Sequence, residues 1–220
     1  MLELNFAPVF KAFDQLMAAA MYSLAIGVAA MVLAMLVGTL GMALSQMRSR
    51  AARRAVLVYV DLFRGTPLLV QILVLFYGPS ALGVPIPPYT SGIIALGLYY
   101  GAYIMEIMRG AFESIPAGHV DAARAMGMPG SRIFWRIQLP QTIAVVVSPL
   151  SGQFARLFKA SSLLSVIGVT ELTVRGHVIM TNTLAPIETW LVVAGIYLFF
   201  NTIVVVGAHL LEQHLTRGRR

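Results

Sequence analysis

The sequence has no cysteine, only two tryptophans and only nine acidic residues in 220. Without cysteine there are no disulfides, no thiolate nucleophile and no sulfur-ligated metal. No Gly-Lys pair occurs, so the chain lacks a Walker A loop to cradle nucleotide phosphates. His119, His177, His209 and His214 show no metal-ligand spacing, and no metal is expected. There is no visible internal repeat. Charge itself is scarce, at 11% of residues, against about 25% in a soluble domain.

What fills the sequence is apolar: 58% of residues are hydrophobic, and the mean hydropathy is +0.80. Water is therefore not the main solvent. A formal net charge of +7 is also found in nucleic-acid binders. The Lys and Arg residues, however, sit in short clusters between apolar runs, which is the pattern of membrane topology. No nucleic acid is expected as a partner.

Lipid admits only segments that satisfy their own backbone, so long apolar runs must be helices, and about 20 residues span a bilayer. Five spans are expected, at residues 15–47, 55–77, 91–108, 140–169 and 190–211. The first is too long for the apolar core of a cleavable signal, so it is read as a retained helix. Gly78-Pro79 and Pro85, Pro87 and Pro88 are expected to end the second span. Residues 1–14 form an N-terminal segment, 15–212 the membrane domain and 213–220 a basic tail.

The clusters Arg48, Arg50, Arg53, Arg54 and Arg217, Arg219, Arg220 are positive, while the 78–90 loop has no charge. The positive-inside rule makes the first loop, the 109–138 loop and the tail cytoplasmic, with the N-terminus outside.

The 109–138 loop is the longest polar stretch. Ser114 reads as an N-cap, Pro116 as a first-turn residue and Gly127 as a left-handed residue past a helix end. A second short helix is expected over 132–138, ended by Leu139-Pro140. The result is a two-helix knob outside the membrane, with Ala122, Ala123 and Ala125 leaving a low-relief surface for a partner's groove.

Asp121-Ala122-Ala123, Gly127 at the matching distance, and Leu139-Pro140 resemble the cytoplasmic coupling motif of ABC importer permeases, with Asp in place of the usual Glu. The strings 63–71, 102–110, 114–116 and 159–167 are similar to those of the polar amino-acid uptake branch. The resemblance implies an all-α, type I importer permease with about five transmembrane helices and a cytoplasmic two-helix coupling loop, in a bacterial inner membrane. It implies pairing with a second permease subunit, the same chain or a sister, and two ATPase subunits gripping Asp121, Ala122, Ala123, Arg124 and Gly127. ATP and Mg would then be held by the ATPase, and no cofactor by this chain. An extracytoplasmic binding protein would deliver the small polar solute. An ATPase-independent channel or secondary carrier is the competing reading.

Asp61 and Arg64, like Glu106 and Arg109, lie three residues apart on one helix face. A charge inside the bilayer costs at least about 2.5 kcal/mol, so these four are expected to face one another or a water-filled path, as a gate or a packing clamp. Arg156 and Lys159 either snorkel or line the path. Glu171, Arg175 and His177 are expected to pair near the outer surface. Gly27, Gly38 and Gly41 are expected at close helix contacts. In the resembling family an Asn-x-Phe string precedes the Lys-x-x-Ser segment. Here Gly152-Gln153-Phe154 stands in its place. Gln153 is the conspicuous polar residue of the fourth span and is expected to contact solute, with Tyr103, Ser161 and Ser162 as further candidates.

Overall fold

The computed structural model describes residues 4–47 and 49–217. Arg48, Arg219 and Arg220 of the expected positive clusters lie outside the described residues. Three uninterrupted helices are long and apolar enough to cross a membrane: α2 (Phe13–Ser45), α5 (Pro88–Glu113) and the Pro186–Gly207 stretch of α10 (Pro186–Arg217). Two bent segments, each counted as one span, bring the candidate crossings up to five. One joins α3 (Arg50–Gly65) to α4 (Leu68–Ala81) at 107°, and the other joins Gly130–Ile167 to α9 (Leu172–Thr183) at 59°. A short helix, α1 (Ala7–Lys11), precedes them, so the first fourteen residues are not merely a leading segment. Val9 of α1 is fully buried, and the backbone N–H of Asn5 donates to Glu188 Oε1 at 2.7 Å, tying the N-terminus to the first turn of α10.

The second span breaks at Thr66-Pro67, not at Gly78-Pro79. A residue before proline is pushed out of the helical region, and Thr66 is extended at φ −118°, ψ 148°. In lipid the carbonyls freed by such a break need new partners. The Gln71 amide nitrogen supplies them, donating to Phe63 O at 2.9 Å, Thr66 O at 3.2 Å and Thr66 Oγ1 at 2.7 Å. Pro79 lies inside the last turns of α4, which runs on to Ala81 before Gly83 turns at φ +80°.

Leu139-Pro140 likewise fails to stop its helix. The chain passes from α7 (Gly130–Ile133) through a π turn (Phe134–Gln138) into α8 (Leu139–Ala160) without interruption. A widened turn is a recognised way to carry a helix past a lost donor. Beyond α8 the chain tightens into a 3-10 stretch (Ser161–Ile167) and reverses at Gly168, φ +81°.

Lipid tails give apolar helices no hydrophobic reason to associate, so close packing of small residues does the work. The seam between α2 and α5 shows it. A Cβ on Gly38 would lie 2.6 Å from Ile104 Cγ2, and one on Gly97 would lie 2.5 Å from Leu33 Cδ2. Gly41 meets Met105 and Gly101 meets Val37 in the same seam, while Gly27 has ordinary clearance. Around it Ile26, Ile72, Leu96, Tyr100, Leu157 and Leu164 form one core. A second core gathers on Phe158, whose ring lies 5.5 Å from Tyr197 and 6.1 Å from Phe200.

Ile104 is β-branched and stiff, so Gly38→Ala is expected to destabilise the helix pair by about 1–3 kcal/mol. Gly110→Ala, with nothing within 4 Å of the new Cβ, is expected to leave stability unchanged or raised. Thermal unfolding of both variants in detergent checks the contrast.

Candidate translocation and coupling sites

A charge cluster sits toward the C-terminal end of α5. Glu106 is 18 residues past Pro88, about 27 Å along the axis, close to the full thickness of a hydrocarbon core of about 30 Å. Arg109 grips Glu106 with two hydrogen bonds, of 3.1 and 2.9 Å, and Glu113 with two more, of 3.0 and 2.8 Å. Arg64 reaches Glu106 across the helix pair at 3.6 Å, and its guanidinium lies 5.2 Å from the Tyr103 ring centroid. Tyr103 in turn shares a hydrogen bond of 3.2 Å with Tyr99. Asp61 takes no part: it is exposed and forms no ion pair among the described residues. Glu113, which the sequence reading passed over, takes the place expected for it.

The loop beyond α5 holds one free helix, α6 (Ala117–Ala125). It is shorter than expected, because α5 runs to Glu113 and the second short helix is continuous with α8. Ser114 is not its N-cap. That hydroxyl donates back to Ala111 O at 2.8 Å, and the cap position of α6 is held by Pro116. At the other end Gly127 adopts φ +74°. Its N–H donates to Arg124 O and that of Met128 to Ala123 O, the paired bonds of a Schellman ending. His119 Nδ1 lies 3.1 Å from Gln141 Oε1, fastening α6 to the start of α8.

The two neighbouring alanines of the motif point in opposite senses. Ala122 is exposed, whereas Ala123 is 1% exposed and packs inward. Asp121 and Arg124 flank Ala122 on the open face and pair loosely at 3.4 Å. Met126, 74% exposed, extends that face and went unnoticed in the sequence.

Of the solute-contact candidates, Gln153 is 6% exposed and forms no hydrogen bond with any described residue. Ser161 is fully buried and donates to Phe158 O at 2.8 Å, and Ser162 donates to Lys159 O at 2.8 Å. Both hydroxyls thus serve the turn at the end of α8. Tyr103 belongs with the charge cluster of α5.

Glu171 does not pair with Arg175 or His177. It is fully buried, accepts from Val174 N–H at 3.0 Å as the N-cap of α9, and accepts from the Tyr197 hydroxyl at 2.9 Å. The Ser23 hydroxyl, 3.5 Å from the same carboxylate, also accepts from Leu172 N–H at 3.1 Å. Three helices, α2, α9 and α10, thereby meet on one carboxylate. Arg175 instead lines an outer cavity with Gln15, Tyr22, Tyr89 and Thr170. Among the described residues no group of three metal-ligating side chains assembles.

Residues 30–217 match the family described as the inner membrane component of binding-protein-dependent transport systems. The chain is 31% identical over 210 residues to the histidine/lysine/arginine/ornithine transport system permease HisQ of Escherichia coli, covering 90% of this chain and 92% of HisQ. It is 37% identical over 171 residues to the octopine transport permease OccM of Rhizobium meliloti, covering 74% and 70%. A probable glutamine ABC transporter permease of Bacillus subtilis, GlnM, is 32% identical over 160 residues, covering 73% and 74%. Among solved structures, a chain of an amino acid ABC transporter with histidines superimposes with a TM-score of 0.92 at 26% identity, covering 97% of this chain and all of that one. The inward-facing methionine transporter MetNI shares the fold at a TM-score of 0.68 and 19% identity, covering 92% and 95%. The relatives are transport permeases, and this chain, helical throughout its described elements like the permease it superimposes on, belongs to the inner membrane permeases of binding-protein-dependent ABC importers.

Proposed function

We propose that the chain moves polar amino acids or related small zwitterions inward across a bacterial inner membrane, with its N-terminus outside and its C-terminus in the cytoplasm. It pairs with a second permease, a copy or a sister, and two ATPase subunits dock on α6. ATP and Mg2+ are bound by those subunits, and a binding protein hands over the solute from outside. Family membership supports this against an ATPase-independent channel or carrier. The solutes for which the relatives are named, histidine, lysine, arginine, ornithine, glutamine and octopine, support amino-acid cargo.

The observation that carries the ATP-driven reading is α6: a short helix held at both ends, with Asp121, Ala122 and Arg124 turned outward. Low relief at Ala122 lets a groove close over the helix, and the buried Ala123 keeps the helix seated. Ala122→Arg is therefore expected to leave insertion intact and to weaken ATPase docking at least about tenfold, or 1.4 kcal/mol. Copurification of the ATPase together with uptake measures it; wild-type values for both would sink the assignment.

The inner cluster acts as a gate in this reading, with Arg64 and Glu106 bridging α3 and α5. Arg64→Glu is expected to impair uptake, and the double exchange Arg64→Glu, Glu106→Arg to recover part of it, with a coupling of the order of 1 kcal/mol for such half-exposed charges. Because Arg109 also holds Glu106, the rescue is partial. A double-mutant cycle on uptake rates checks the sign.

Gln153 contacts the solute. Its support is a largely buried residue of a membrane helix whose amide has no protein hydrogen bond and is not sealed from solvent, so its polar end is open to a partner that offsets the cost of its burial. An amide bonds a solute without neutralising a positive one. Gln153→Glu is expected to shift transport toward lysine- and arginine-like cations by about tenfold, the effect of one added charge-assisted contact of about 1.5 kcal/mol. Competition uptake with neutral and cationic amino acids reads the ratio, and an unchanged preference would rule out the contact.

A further inference from the structure

Halfway through the membrane, α10 presents a polar hollow. Its apolar stretch Pro186–Gly207 has 22 residues, so Tyr197 falls at the middle and Asn201 one turn further in. Together with Ala194, Leu198, Ser162 and Lys159 these residues line a cavity of about 450 Å3, within the range of about 300–1,000 Å3 usual for small-ligand sites. Three features of the lining are unusual for a bilayer midplane. Lys159 carries a full charge there, is exposed on the face of the single chain, and has no ion pair among the described residues. Asn201 Oδ1 is buried and accepts no hydrogen bond. The Tyr197 hydroxyl is already committed to Glu171 and Thr173, so it cannot satisfy either of them.

An ammonium at this depth is expensive unless an anion or a water-filled path meets it. Glu171, the nearest carboxylate in the network behind Tyr197, is occupied by the Val174 N–H and the Tyr197 hydroxyl and makes no salt bridge with Lys159. Lipid phosphates do not reach the middle of the hydrocarbon. A free ammonium beside one hollow matches the carboxylate end of a zwitterion, while Asn201, whose Oδ1 is sealed from solvent, closes the wall behind it. Lys159 is one of two lysines in the chain, beside fourteen arginines, and its compact ammonium suits a single small carboxylate in a confined site. Lys159 follows Gln153 by six residues, about 240° around α8, so this hollow is a different place from the one that Gln153 faces.

We propose that the hollow beside Lys159 is a second solute station, binding the α-carboxylate of the transported amino acid through the Lys159 ammonium. The proposal rests on the amino-acid reading given above.

The presence of only two lysines makes it directly testable. Reductive methylation of the purified permease with 13C-formaldehyde, before unlabelled ATPase is added to rebuild the complex, labels Lys11, Lys159 and the N-terminal amine and preserves their charge. The complex in lipid nanodiscs is titrated with a panel of L-α-amino acids and with the carboxamide of each. The Lys159 resonance is expected to move with the transported amino acids and not with their carboxamides, with Lys11 as a stationary reference. It is assigned by its loss in Lys159→Met, or by elimination in Lys11→Arg should the first variant fail to assemble. In proteoliposomes with the binding protein, Lys159→Met is expected to lower uptake at sub-saturating solute about ten- to a hundredfold, and Lys159→Arg to recover part of it. A Lys159 signal that ignores every amino acid the wild-type complex transports overturns the station and leaves the amino-acid reading standing. A signal that moves only when a second permease joins assigns Lys159 to the subunit interface and also overturns it. Failure of the wild-type complex to transport any amino acid would remove the reading beneath it.

Discussion

Every peptide group in the hydrocarbon must be satisfied by the chain itself, and the architecture follows from how this chain meets that demand at its prolines. Pro67 splits a span, and Gln71 takes up the stranded carbonyls of Phe63 and Thr66. Because the break is mended locally, α3 and α4 can diverge by 107° without exposing bare backbone. Arg64, three residues before Pro67, can then reach Glu106 from the end of α3. At Pro140 the answer is different: a π turn absorbs the lost donor and the helix carries on.

Within that frame the two packing problems are solved by opposite means. The α2–α5 seam relies on absent side chains, since Gly38 and Gly97 admit Ile104 and Leu33 where any Cβ would collide. The junction of α2, α9 and α10 relies on a single buried carboxylate, with Ser23, Val174 and Tyr197 converging on Glu171. Neither depends on excluding water, which is the usual driving force of a soluble core and is missing between helices in lipid.

Much of this was legible in the residues. Apolar runs give the five crossings, and Gly127 marks the end of α6 because its left-handed backbone suits glycine. What escaped depends on distance in the chain. Glu171 has nearby charges at Arg175 and His177, yet the side chains that meet it, Ser23 and Tyr197, stand 148 and 26 residues away. Ala122 and Ala123 are chemically identical neighbours, and only the fold of the loop decides which one turns inward. The Thr66-Pro67 break was within reach of local rules, since a residue preceding proline avoids the helical region. The Gly-Pro pair at 78–79 is the more conspicuous breaker in the sequence, yet Pro79 sits inside α4, which runs on to Ala81.

From Gly130 to Ala160 the backbone never leaves a helical path, which makes a rod about 45 Å long. One end is latched to α6 through Gln141 and His119; the other carries Gln153 and Lys159. A helix resists compression and bending far more than it resists tilting as a body. A displacement of α6 would therefore be felt through His119 and Gln141 as a tilt of α8, moving Gln153 and Lys159 together, with the 3-10 stretch and Gly168 beyond them as the place where the chain can give.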